Sequence, residues 1–389
     1  MKSNYKGNLC ILTTVSVSIK AFYQGPIDAL NKAGVRTTVV CADDPQIRNF
    51  IPAETNFVPV EFSRVLSPLQ DVKVLWKLYG LFRNKKFDIV QYSTPKASLL
   101  GTIAAFLARV PIRIYILWGL YYMGQSGLKK FMFKIFERII CSLSTNILPI
   151  SKEMIDFVEA EGLTKSSKCE VMYNGSACGI DLQQFDPEKW RDFRNELYNN
   201  LNIPEYATII GTVARLTGDK GINELVEAFD VICNEVSLLY LLLVGEQEEK
   251  DRLLSSTERI ITGNPRIKIT GWQENPLPHY AAMDIFCLPT YREGFGKVNL
   301  EAQAMSLPVV STNVIGPRES VDNGKTGFLV EPRSSEALIE PLRKLVLNPE
   351  LRREMGRNGR KRIERMFDGE DVIRAIVEHR LRLLSEMKR

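Results

Sequence analysis

Along the chain, short apolar runs rich in β-branched residues alternate with longer stretches whose apolar positions return every three or four residues. LCILTTV (9–15) is followed by a helical period through 27–32, by Gly34 and by VRTTVVCA (35–42). FDIVQYS (87–93) is followed by a helical stretch over 97–108 and by IRIYIL (112–117). Compact apolar runs predict strands and the 3.6-residue period predicts helices. The rhythm restarts at ATIIGTVARL (207–216) and runs on through LYLLLVG (239–245), IKITGW (267–272), IFCLPT (285–290), PVVST (308–312) and GFLVE (327–331). Strand–helix alternation of this kind makes a parallel sheet covered on both faces. The pattern therefore predicts an α/β protein with two Rossmann-like domains. Between the two series, residues 174–204 carry Asn-Gly, Asp-Pro and Ile-Pro breakers, which place the boundary near residue 185. From Pro349 onward the chain is helical and charged.

A length of 389 residues agrees with two domains. Seven scattered cysteines, with no C-x-x-C and no histidine at metal spacing, read as buried thiols of a reducing compartment. Leu9 to Val15 runs into Ser16, Ser18 and Lys20 without a small-residue cleavage site, so a first strand is expected there and not a leader. The most apolar long window, 101–124, holds Arg109, Pro111 and Arg113 at its middle, which excludes a spanning helix. Cytoplasmic residence is expected. The formal charge of +5 divides into +8 over residues 1–185 and −3 over the rest. The first half is thus expected to meet something anionic, a membrane surface or phosphates; no nucleic-acid motif accompanies the charge.

Neither glycine-rich segment is a nucleotide fingerprint. GFGKVN has Asn299 where a third glycine belongs, and DNGKTG has Glu319 five positions before Gly324, where a phosphate loop requires glycine. GTVARLTGDKG (211–221) is more informative. Arg215 and Lys220 follow a strand among three glycines, and such a pair either clamps a diphosphate or is simply two surface bases at a turn. In REGFGKVNLEAQAM (292–305), Gly294 and Gly296 permit close backbone approach where a helix begins. Glu293 projects from the loop and Glu301 lies in the first turns of that helix. A helix-start carboxylate and a hydrolase-like acid pair are the other readings of these glutamates.

E-G-F-G-x-x-x-x-E (293–301) and the A-x-x-x-x-x-P-V-V that follows it (302–310) resemble the E-x7-E signature of family 4 glycosyltransferases, retaining enzymes of the GT-B fold. G-x-V-A-R-L…D-K-G (211–221), H-Y-A-A-M-D-I-F-C-L-P-T (279–290), E-S-V-D-N-G-K-T-G-F-L-V (319–330) and Y-N-G…G-I-D (173–181) are similar too, in the family's order. T-T-V (13–15) and S-T-P-K-A (93–97) resemble, more weakly, a subgroup that builds capsule or O-antigen repeat units on a lipid carrier.

The resemblance implies two Rossmann-like domains facing across a cleft. Residues 1–185 would take the acceptor, 186–365 the nucleotide-sugar, and 366–389 would form a helix crossing back to the first domain. Arg215 and Lys220 would hold the donor diphosphate and stabilise the leaving nucleotide, and Glu293 would contact the donor sugar's hydroxyls, these three being the catalytic set. Glu301 would hold the ribose, and the backbone of Gly294, Phe295, Gly296, Lys297 and Val298 would touch sugar and phosphate. The expected donor is a UDP-sugar, with N-acetylgalactosamine in α linkage the subgroup's suggestion. The expected acceptor is a polyprenyl-diphosphate-linked saccharide at the inner face of the cytoplasmic membrane. No cofactor or metal is implied, since no D-x-D occurs and Asp43-Asp44 reads as turn chemistry. A sugar-nucleotide epimerase or hydrolase and a non-catalytic nucleotide-sugar-binding scaffold are the alternatives.

One departure matters. Where many family members have histidine before glycine, after the strand 112–117, this chain has Trp118-Gly119. Trp118 either stacks on a sugar or packs in the core. His279 and His379, the only histidines, read as helix-surface or packing residues. No imidazole from the first half is then available as a base; in a retaining reaction the departing phosphate takes the acceptor's proton. GLKKFMFKIFERIICSL (127–143) sets Lys129, Lys130, Lys134 and Arg138 among phenylalanines, either a helix resting on anionic lipid or an ordinary packed one.

Overall fold

The computed structural model describes residues 6–63, 67–249 and 251–388. The chain forms two compact units, 1–179 with 369–389, and 180–368. The sequence placed the division near 185 and a returning helix at 366–389. The chain passes between units at 179/180 and 368/369, and Ile180 N donates to Phe367 O at 2.8 Å where the strands of chain meet.

The N-terminal unit holds six strands: β1 (Gly7–Leu12), β2 (Val35–Cys41), β3 (Asn56–Pro59), β4 (Ile89–Tyr92), β5 (Ile112–Leu117) and β6 (Asn146–Pro149). Their order is β3-β2-β1-β4-β5-β6, every pairing parallel. The C-terminal unit repeats the plan with β7 (Thr208–Val213), β8 (Leu239–Val244), β9 (Ile267–Gly271), β10 (Ile285–Leu288), β11 (Val309–Thr312) and β12 (Gly327–Val330), in the order β12-β11-β10-β7-β8-β9. Strands buried on both faces need apolar side chains on both, and β4, β10 and β11 are buried throughout. In the C-terminal unit one sheet face packs Leu225, Phe229, Leu338 and Leu342, and the other packs Tyr280, Phe286, Met305 and Leu307.

Two strands had no counterpart in the sequence pattern. β3 and β6 are four residues long, end in proline and lie at the sheet's edges. An edge strand needs ladder bonds on one side only, so it can be short and can end in proline. The tail forms two helices, Pro349–Met366 and Gly369–Met387. The second is anchored in the N-terminal unit by Arg380, which is buried and donates through Nε and Nη2 to Gln91 Oε1 at 3.2 and 3.0 Å. Burial pulls this guanidinium down to about 10.

That anchoring revises one expectation. His379 belongs to the second half of the sequence but to the N-terminal unit of the fold. It is buried beside Arg380, whose Nη1 lies 3.0 Å from its Nδ1, and burial, helped by Arg380 and Arg382, depresses it to about 3. It is a neutral packing group. His279 is also buried.

Candidate active site

In each sheet the strand order reverses once, between β1 and β4 and between β7 and β10. Crossovers leave such a pair of neighbours in opposite directions and open a crevice beyond their C-terminal ends, where ligands of doubly wound sheets bind. Both glutamate and cation motifs sit at the second reversal. The Arg215–Lys220 segment leaves β7, and the Glu293–Gly296 loop leaves β10.

Glycines shape the site. Gly221 has φ +71°, and a Cβ there would lie 2.0 Å from Pro289 O, so only glycine lets the β7 loop lie against the end of β10. Gly296 has φ +86° and precedes the helix Lys297–Ala304. Asn299, beneath it in that helix's first turn, is fully buried and donates to Ser320 Oγ at 3.1 Å.

Lys220 Nζ stands 2.6 Å from Glu293 Oε2, with the two side chains 17% and 24% exposed. Arg215 is more open and pairs through Nη1 with Glu248 Oε2 at 2.7 Å. Asp219 lies between the cations: burial raises its pKa, but the bond from Thr217 and the charges of Arg215, Lys220 and Arg292 outweigh burial and hold it below the usual range. Glu301 is buried. It accepts from Tyr280 Oη at 2.8 Å on one oxygen and faces Lys297 Nζ at 3.3 Å on the other. Phe295 is buried against Phe367 with ring centroids 5.5 Å apart, so this residue offers a ligand its backbone and not its ring. Val298 is partly buried and packs against the core cluster that contains Tyr280 and Met305.

Three further residues shape the site. Tyr280 was legible only as part of a motif; its fully buried hydroxyl fixes Glu301. Tyr291 bonds Glu224. Gly316, with φ +93°, lies so close that a Cβ would stand 2.9 Å from Glu293 O. The Ile-Gly-Pro signal of a turn was available for it, but not the loop it faces.

In the N-terminal unit the reversal joins the two weaker motifs. Thr14, after β1, and Thr94, after β4, share a hydroxyl–hydroxyl bond of 2.7 Å, and Thr14 N donates to Thr94 Oγ1 at 2.8 Å. Trp118 packs on Phe22 and Tyr23 at centroid distances of 4.4 and 5.7 Å, and with Gln91, Ser176 and Arg380 lines a narrow recess. Lys129 and Lys130 are exposed, whereas Lys134 is tied to Glu161 at 2.7 Å. No group of three metal-ligating side chains stands together among the described residues.

Two family models match: glycosyl transferases group 1 over residues 193–362, and a glycosyl transferase 4-like domain over 25–175. The capsular polysaccharide biosynthesis glycosyltransferase CapM of Staphylococcus aureus is 35% identical over 363 residues, covering 93% of each chain. An N,N'-diacetylbacillosaminyl-diphospho-undecaprenol α-1,3-N-acetylgalactosaminyltransferase of Campylobacter jejuni is 24% identical over 89% of this chain and 91% of that one. Among solved structures, a sucrose-phosphate synthase from Thermosynechococcus elongatus superposes with a TM-score of 0.79 at 20% identity, covering 98% and 100% of the two chains. HepE of Anabaena, in complex with UDP-glucose, superposes at 0.78 and 20% identity, covering 96% and 99%. The chain belongs to the group 1 glycosyl transferases of family 4 and has their two-domain GT-B fold.

Proposed function

We propose that this glycosyltransferase moves N-acetylgalactosamine, with retention and in α linkage, from UDP-N-acetylgalactosamine to a polyprenyl-diphosphate-linked saccharide during capsule or O-antigen assembly. The observation that carries the reading is the meeting of Lys220 with Glu293, beside Arg215, at the strand reversal of the C-terminal unit. A diphosphate takes Glu293's place on Lys220 and Glu248's place on Arg215, and Glu293 is freed to accept from hydroxyls of the sugar. Glu301, preset by Tyr280, accepts from the ribose. Backbone amides of Gly294 to Val298, at the start of a helix, face the phosphates.

In the transfer, the bond from C1 of the sugar to the β-phosphate oxygen breaks. The acceptor oxygen bonds to C1 on the same face, and its proton goes to the departing phosphate, so UDP is released and no side-chain base is used. Arg215 and Lys220 stabilise the charge that grows on that phosphate. The similarity to CapM supports the capsule setting, and that to the Campylobacter jejuni transferase supports the lipid-linked acceptor and the choice of sugar. No helix among the described residues is long and apolar enough to cross a membrane. We place the enzyme peripherally, at the cytoplasmic face of the membrane, with helix Gly127–Leu143 on anionic lipid.

The test is incubation with UDP-N-acetylgalactosamine and a synthetic polyprenyl-diphosphate-linked sugar. An α-linked product with one UDP released per transfer is expected. UDP release or an epimerised donor without acceptor, or nucleotide binding with no product, overturns the reading.

A further inference from the structure

Three helices of the N-terminal unit, Pro68–Lys85, Pro95–Leu107 and Gly127–Leu143, follow β3, β4 and β5 and lead to β4, β5 and β6. These crossovers all step in the same direction across the sheet, so right-handed connection puts the three helices in one layer on one face. The first packs on the second and the second on the third. With neighbouring axes 8–10 Å apart, the outer two are separated by roughly 20 Å.

Both outer helices carry a second apolar stripe that is largely exposed, the Trp76 ring meeting only edge-on the Tyr79 ring one turn along its own helix, at 5.6 Å. Pro68–Lys85 buries Val74, Leu78 and Phe82, yet Leu69, Val72 and Trp76 point outward with exposures of 84, 51 and 60%. Gly127–Leu143 buries Ile140 and Cys141 while Leu128, Phe131 and Ile135 are 82, 62 and 37% exposed. Each triplet has spacings of three and four, the signature of one helix face. Both triplets occupy the first turns of their helices. Those turns adjoin the C-terminal edge of the sheet, the edge at which Thr14 and Thr94 meet.

Charge selects the partner. The three helices hold nine Lys and Arg against two acids, a net of +7 beside the +8 of residues 1–185, so nearly the whole basic surplus lies in this layer. Of the two acids, Asp71 is neutralised by Lys96 at 2.8 Å and Glu137 is buried. Exposed Lys73 and Lys77 flank the first stripe as Lys129 and Lys130 flank the second. Large apolar tips interleaved with exposed cations suit an interface that is apolar inside and anionic at its surface.

We propose that this layer docks on an anionic bilayer at two points, with Leu69, Val72 and Trp76 as an insertion stripe additional to that of Leu128, Phe131 and Ile135. Two parallel lines of contact fix the unit's orientation as well as its attachment, and hold the strand ends toward a lipid-linked substrate. The inference rests on the lipid-linked acceptor reading above.

The experiment uses the full chain and sedimentation with vesicles of phosphatidylglycerol and phosphatidylethanolamine, or of phosphatidylcholine alone. The wild type is expected to bind the former, less so at high salt, and to bind the latter weakly. Emission that shifts to the blue on binding in the wild type, and much less in Trp76→Phe, places Trp76 in the bilayer. Leu69→Ser with Trp76→Ser, and separately Leu128→Ser with Phe131→Ser, should each lower partitioning tenfold or more. Both pairs should leave transfer to a water-soluble short-chain acceptor unchanged, which separates docking from catalysis. Equal partitioning of the wild type and the Leu69/Trp76 variant overturns the proposal, as does a wild-type dimer that this variant converts to a monomer without changing vesicle binding. If the wild type partitions as described but makes no product, the transferase reading fails and the docking surface stands.

Discussion

Lys220 and Glu293 are 73 residues apart in sequence and 2.6 Å apart in space, each the nearest opposite charge of the other in the C-terminal unit's site. In the proposed function a diphosphate and a sugar replace this contact between cation and carboxylate. Glu293→Gln keeps the shape and removes the charge, and Lys220→Ala removes the cation. Each should lower kcat by about 10² to 10³, the usual cost of deleting one group that stabilises a developing charge. The fold should survive: the pair is partly solvated, so its loss costs between the about 0–1 kcal/mol of an exposed pair and the about 3–5 kcal/mol of a fully buried one. Steady-state kinetics with circular dichroism checks this; wild-type turnover in either variant removes the assigned roles.

Tyr280 holds Glu301 from the core, and in the proposed function it is a positioning residue. Its hydroxyl is fully buried and donates to one carboxylate oxygen, and burial followed by the neighbouring charge of Glu301 raises its pKa well above that of a free phenol. Tyr280→Phe deletes one charge-assisted bond, worth about 1.5–3 kcal/mol in this setting, and lets the carboxylate swing. The expected result is a KM for the UDP-sugar raised by an order of magnitude or more with kcat nearly unchanged. The wild type should also favour UDP over its 2′-deoxy analogue more strongly than Tyr280→Phe does. A general packing defect would weaken both nucleotides equally.

Gly316 tests the loop from the other side. Its φ of +93° disfavours any side chain, and an added Cβ would press on the backbone of Glu293 and Gly294 at 2.9 Å. Gly316→Ala should displace that loop and reduce kcat/KM at least tenfold, with a loss of stability of about 1–2 kcal/mol read from a denaturant midpoint. An unchanged kcat/KM would show that the loop's placement does not matter to the donor.

The two-domain plan was legible because interior strands advertise themselves: β5 coincides with IRIYIL, residue for residue, and β7 to β12 each lie inside a run picked out by apolarity alone. β3 and β6 escaped because an edge strand of four residues needs no apolar signature on both faces. The motif around Glu293 and Glu301 was legible as chemistry. Its partners were not, since nothing local in the sequence says that Tyr280 lies under Glu301 or Gly316 against Glu293. His379 shows the same limit: a helix that returns to the first unit carries its residues out of sequence order, and only tertiary structure places them.

Glu137 provides a test in the N-terminal unit that does not depend on catalysis. It is buried on helix Gly127–Leu143, and desolvation raises its pKa to about 7 although the bond from Tyr115 Oη at 2.9 Å opposes the shift. A carboxyl of higher pKa folded than unfolded binds its proton more tightly in the native state. Its contribution to stability is therefore complete below about pH 4.5 and is lost as pH rises through about 7. The span corresponds to about 3 kcal/mol as an upper figure. Glu137→Gln cannot titrate and can still accept from Tyr115. His379 contributes with the opposite sign, lost as pH falls from 6.5 toward about 3, and is common to both proteins, so it cancels in the comparison. Urea midpoints at pH 5 and pH 8 should show the wild type losing more stability than Glu137→Gln over that interval. Parallel losses would mean that Glu137 is ionised throughout and that its burial is relieved by water.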